Sequence, residues 1–131
     1  MMGIFKIFGV SKKNTIEKNA QRVSKKYPVT KDGYFGKPGK SSKVRVITSD
    51  NQHKTSREFF SDLSKGGVKT KLKNGKGKQA TLPDKTDIVH RPTTSTKNSP
   101  AVDITVRKES KIKTQKIHFE KEKKNGKSSF K

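Results

Sequence analysis

The chain of 131 residues carries 33 Lys and Arg against 11 Asp and Glu, a net charge of +22, and only 26% of it is apolar. That length and composition allow one small domain with a thin core, and so basic a surface points to phosphate-bearing partners. The absence of Cys excludes disulfides and thiolate metal sites; the three scattered His and the sparse carboxylates supply no ligand set, so neither a metal nor any other cofactor is expected.

The opening Met1-Met2-Gly3-Ile4-Phe5-Lys6-Ile7-Phe8-Gly9-Val10 is apolar. It is far shorter than the roughly 20 residues a bilayer span requires. It has no basic segment before it and no small-residue cleavage site, and Met2 stands where myristoylation needs glycine. Residues 1–13 are read as a flexible leader, with no integral membrane association.

Residues 14–26 read as a helix, with Asn14 and Glu17 as a capping box, Ile16, Ala20 and Val23 on one face, and Pro28 beyond the end. Residues 31–39 are rich in turn formers and read as a loop. Its Gly33, Gly36 and Gly39 lack phosphate-loop spacing; Tyr34 and Phe35 suit either base stacking or the core. Residues 44–48 read as a strand. Thr55 and Glu58 form a second capping box before Phe59, Phe60 and Leu63, and Gly66-Gly67 stops that helix.

Beyond Gly67 the pattern changes to strands. Residues 68–72 and 78–82 flank the turn signal Asn74-Gly75, residues 87–91 form a strand ending at Pro92, and residues 93–99 form a polar loop. In residues 101–107 Val102, Ile104 and Val106 alternate with Asp103, Thr105 and Arg107. In residues 116–120 Ile117 and Phe119 oppose Lys116, His118 and Glu120. The tail, residues 121–131, is rich in Lys, Gly and Ser and reads as basic and disordered. The expected architecture is α+β, with N-terminal helices packed on one face of a small antiparallel β-sheet over residues 14–120, and the other face open.

Metal-free cleavage of RNA uses the substrate's own 2′-OH. It needs a proton acceptor, a proton donor and cations for the phosphorane charge. If the last two strands pair antiparallel, Asp103, Thr105 and Arg107 share the open face with Lys116, His118 and Glu120. The preceding strand adds His90 or Arg91; alternation does not decide between them, because Ile88 and Val89 are both apolar. Thr94, Ser95 and Thr96 bring hydroxyls suited to a phosphate. The bland alternative at each position is a solvated polar side chain on a half-buried strand. His118 carries the catalytic expectation, with Arg91, Asp103 and Lys116. His90, Arg107, Thr94, Ser95 and Thr96 are expected to bind phosphate or RNA, and His53 reads as a surface residue before a helix.

The run from Tyr27 to Glu120 resembles the C-terminal nuclease modules of bacterial polymorphic and contact-dependent toxins. The matching motifs are Tyr27-Pro28 with Gly33-Tyr34-Phe35-Gly36, then Val44-Arg45-Val46-Ile47 and Arg57-Glu58-Phe59-Phe60. The more telling ones are His90-Arg91-Pro92-Thr93-Thr94-Ser95-Thr96, Ser99-Pro100-Ala101-Val102-Asp103-Ile104 and Lys116-Ile117-His118-Phe119. Such modules are similar in outline to the barnase–EndoU–colicin–RelE group. The resemblance implies an RNase site on the concave sheet face, cleavage of tRNA or other RNA, and an acidic cognate immunity protein that blocks the site. It points to Arg91, Thr94, Thr96, Asp103, Lys116 and His118. The expected unit is a monomer acting in the cytoplasm, delivered from outside if fused to an export domain. The alternatives are a non-catalytic basic RNA- or DNA-binding protein, of phage or ribosome-associated type, and an inactive toxin remnant.

Overall fold

The computed structural model describes residues 15–73, 76–92 and 99–121. The predicted leader, Asn14, the Asn74-Gly75 turn, Thr94, Ser95, Thr96 and residues 122–131 of the tail lie outside the described residues. Helix α1 (Thr15–Val23) buries Ile16, Ala20 and Val23, as its periodicity requires. Its first turn is capped from 68 residues away: the Ile16 amide donates to Asp84 Oδ2 at 2.8 Å. Glu17 accepts from the Lys111 amide at 2.6 Å; its expected capping partner Asn14 is outside the described residues. The helix stops at Val23, three residues before the expected end, in turns closed by Ser24 N to Ala20 O and Tyr27 N to Val23 O.

A two-residue strand, β1 (Lys37–Pro38), lies in the stretch read as loop, and pairs with β2 (Val44–Ser49). Helix α2 (Gln52–Leu63) begins a turn earlier than Thr55, because the side chain of Asn51 accepts from the Lys54 amide and caps it there. His53 therefore sits in the first turn of the helix. Five strands follow: β3 (Val68–Lys71), β4 (Lys78–Thr81), β5 (Asp87–Arg91), β6 (Ala101–Thr105) and β7 (Gln115–Lys121). Lys121 thus belongs to the sheet and not to the tail.

The fold is α+β, but the sheet is neither small nor wholly antiparallel. It has seven strands in the order β1-β2-β7-β6-β5-β4-β3, and β2 runs parallel to β7 with Val46 opposite His118. All other neighbours are antiparallel. Alternation fixes which way side chains face and says nothing of which distant strand is the partner. The parallel pair joins segments some 70 residues apart, and no local signal announces it.

α2 covers one face of the sheet and α1 packs beside it, with Phe59 at the centre. Its ring meets those of Tyr27, Phe35 and Phe119 edge-on at 5.6, 5.0 and 5.3 Å. The expected core residues Phe59, Phe60, Leu63, Val102, Ile104, Ile117 and Phe119 are all buried. Phe35 is fully buried as well, so it fills the core and is closed to a stacked base.

Two polar side chains hold the 33–36 turn against this core. Gln115, buried at the start of β7, accepts from the Phe35 amide at 2.8 Å and donates to Gly33 O at 2.9 Å. Arg45, also buried, donates to the carbonyls of Phe35, Ser42 and Gly36 at 2.8, 3.0 and 3.0 Å, with Tyr34 stacked 5.0 Å from its guanidinium. Gly33 has φ +89°, and a Cβ there would collide with the Lys111 carbonyl, so the turn has no room for a side chain.

Candidate nucleic-acid interface

Strand register assigns every side chain to a face. Val102, Ile104, Ile117 and Phe119 point to the helices, so their neighbours Asp103, Lys116 and His118 point the other way. Ile88 is fully buried and pairs with Ile104, which puts Ile88 and His90 under α2 and leaves Asp87, Val89 and Arg91 on the opposite face. The structure thus separates the two residues that alternation left tied.

On the face away from α2 two adjacent rows cross the sheet. One runs Val89, Asp103, Lys116 and Val44; the next runs Arg91, Ala101, His118 and Val46. Neighbouring strands lie about 4.8 Å apart, so Arg91 and His118 stand roughly 10 Å apart across the small side chain of Ala101. Arg91 Nε donates to Asp103 Oδ2 at 3.3 Å, with both side chains part-exposed. That contact uses one of the guanidinium's five N–H donors. His118 is only 7% exposed and Ala101 is fully buried, so the centre of this face is more enclosed than an open sheet would leave it.

Arg107 lies past the end of β6 and pairs with Asp87 through Nη1 at 2.6 Å. Asp87 also accepts from Thr81 Oγ1 at 2.7 Å. This is a separate cluster on the row of Thr105, and Arg107 does not join the Arg91–Asp103 pair.

His90 occupies a different environment. Its ring stacks on Phe60 with centroids 5.6 Å apart, and Nε2 lies 3.0 Å from Ser56 Oγ. Ser56 Oγ donates to the His53 carbonyl at 3.0 Å, so it receives its second hydrogen bond from His90 Nε2–H. In that arrangement the neutral ring carries its proton on Nε2. Burial, then the charges of Arg57 and Lys78, press the His90 pKa down to about 4.

Two hollows flank these clusters. A groove of about 1250 Å³ runs between α1, the 29–34 turn and residues 109–113, and it mixes Lys31, Lys111 and Lys113 with Glu17, Asp32 and Glu109. A second cavity, of about 520 Å³, opens between α2 and strands β3 to β5 and includes His90. Among the described residues no three His, Asp or Glu come together as a ligand group for a metal, and no helix is long and apolar enough to cross a membrane.

No family model, curated protein or solved structure matches the chain. The likeness to toxin nuclease modules rests on the short motifs alone.

Proposed function

We propose that the chain is a metal-independent endoribonuclease of the bacterial toxin kind, which cuts RNA, with tRNA foremost, on the sheet face away from α2. The observation that supports it is the meeting of Arg91, Asp103, Lys116 and His118 in two adjacent rows across three strands. In this reading His118 takes the proton of the 2′-OH, whose oxygen bonds to phosphorus as the P–O5′ bond breaks. The proton held by His118 passes to the leaving 5′-oxygen, and a 2′,3′-cyclic phosphate remains. Arg91 and Lys116 carry the phosphorane charge, and Asp103 holds Arg91 in place. The same basic face suits an acidic immunity protein, and the RNA substrate sets the cytoplasm as the place of action.

The test is to incubate the purified chain with total tRNA in EDTA and to analyse the ends. Cleavage that leaves 2′,3′-cyclic phosphates supports the reading. Cleavage abolished by EDTA, or a folded chain inert on all cellular RNA, overturns it. The burial of His118 favours a second reading, in which the basic surface binds RNA or DNA without cutting it; retained affinity with no cleavage is its signature.

A further inference from the structure

The cavity beside α2 has a composition that the cleavage reading does not use. Its lining includes Arg57 from the helix, Lys69 and Lys71 from β3, and Lys78 from β4, with His90 and Phe60. Among the described residues no carboxylate lines it, in contrast to the three carboxylates of the larger groove. Lys71 stands directly opposite Lys78 in the antiparallel β3–β4 pair, and Lys78 stands opposite His90 in the next. Like charges placed directly across a strand pair repel and destabilise the sheet. Arg57 adds a further positive charge from the helix side. We propose that this cavity is an anion site that takes a phosphate group carried by a nucleotide, held by Arg57, Lys69, Lys71 and Lys78.

The dimensions and chemistry fit such a ligand. A volume of about 520 Å³ accommodates a mononucleotide. Flexible lysine ammonium groups at the rim close on a phosphate as point charges, and the Arg57 guanidinium offers it paired donors. Phe60 supplies an apolar wall beside the phosphate position. Burial first, and then the charges of Arg57 and Lys78, depress the His90 pKa, so only part of that shift reports the same positive field. A bound phosphate relieves the Lys71–Lys78 repulsion, so ligand and sheet stability are linked. The site depends on its own residues and holds whether or not the opposite face cleaves RNA.

The experiment follows the His90 ring and the Arg57 Nε–H by NMR in the full chain. Three probes are titrated: AMP, adenosine, and a short single-stranded RNA without terminal phosphates. AMP or the RNA is expected to shift both groups and to raise the His90 pKa, while adenosine leaves them in place. A response to AMP alone assigns a terminal phosphate, and a response to the RNA assigns a phosphodiester of a strand; either supports the site. The double variant Lys71→Ala/Lys78→Ala is expected to bind the active probe at least about tenfold more weakly, and to be no less stable without ligand because the repulsion is gone. His118→Ala is expected to leave the His90 response intact, which separates this site from the cleavage reading. Equal shifts with adenosine, no shift with either phosphate probe, or undiminished binding by the double variant would each overturn it.

Discussion

His118 and His90 stand two strands apart on opposite faces of one sheet, and their neighbours differ in kind. His118 shares its face with a carboxylate, Asp103, which is in register with Lys116 and pairs with Arg91. His90 lies among Arg57, Lys69, Lys71 and Lys78, in a cavity lined by no carboxylate among the described residues. A ring that moves protons needs both its protonation states within reach at working pH. His90 is held neutral by burial and positive charge, which suits it to an anion's neighbourhood and unsuits it to shuttling protons. Surroundings, and not residue type, set the two histidines apart: His90 is a neutral wall, and His118 is the proton carrier only in the cleavage reading proposed above.

Four measurements break or sharpen that division. The largest effect is expected of His118→Ala, which should slow tRNA cleavage in EDTA by at least about 100-fold while RNA affinity holds; loss of the buried ring lowers the unfolding midpoint, so the rate is compared at a temperature where both proteins are folded. A variant that cuts at the wild-type rate would end the distinction. RNA affinity of the wild type should fall by about 100-fold over a fourfold rise in salt if roughly five phosphates are engaged, each contributing about 0.7 to the log–log slope. A flat salt profile would leave both faces without a phosphate contact.

His90→Gln tests the other face through pH. The native pKa lies near 4 and the unfolded one near 6.5, so the unfolded chain takes up the proton first as pH falls. The stability linked to His90 is complete above pH 6.5 and is lost on the way down to about 4. Over that window the wild type should lose on the order of 2 kcal/mol more than the variant, a figure discounted for the open mouth of the cavity. Parallel urea midpoints for the two proteins would show that His90 is not held neutral. The smallest effect is expected of Asp103→Asn, which keeps the shape but removes the charge that positions Arg91. Turnover should fall by about tenfold with KM nearly unchanged. A change in KM alone would make the pair a binding contact.

Much of the His118 face is legible in the sequence, because residues 102–105 of β6 and 116–120 of β7 alternate apolar and polar side chains. Parity alone puts Asp103, Lys116 and His118 together. The His90 face is not legible, since Ile88 and Val89 blur the alternation and only the pairing with β6 settles it. The cation cavity joins α2 to three strands, and sequence spacing carries no trace of that meeting. Asp84 as the cap of α1, and Arg45 and Gln115 as buried clamps, are equally non-local. A basic residue in a basic chain gives no sign that it is spent on carbonyl groups. The start of α2 is legible in principle, because Asn caps a helix at least as well as Thr and Asn51 stands directly before the first turn.

The place of β7 bears on how the chain is made. It is the last of the described strands to be synthesised, and it fills the gap between β2 and β6. Until residue 121 has left the ribosome, β2 lacks its parallel neighbour and β6 keeps an unpaired edge, so the two halves of the sheet wait as separate fragments. Pairing over such sequence distances is slow in general, because loop closure must precede the contacts that reward it. The same strand brings Lys116 and His118, so a nascent chain holds Arg91 and Asp103 without the side chains that later share their face. A cell that translates this protein meets its complete surface only after the message has been read to the end of β7.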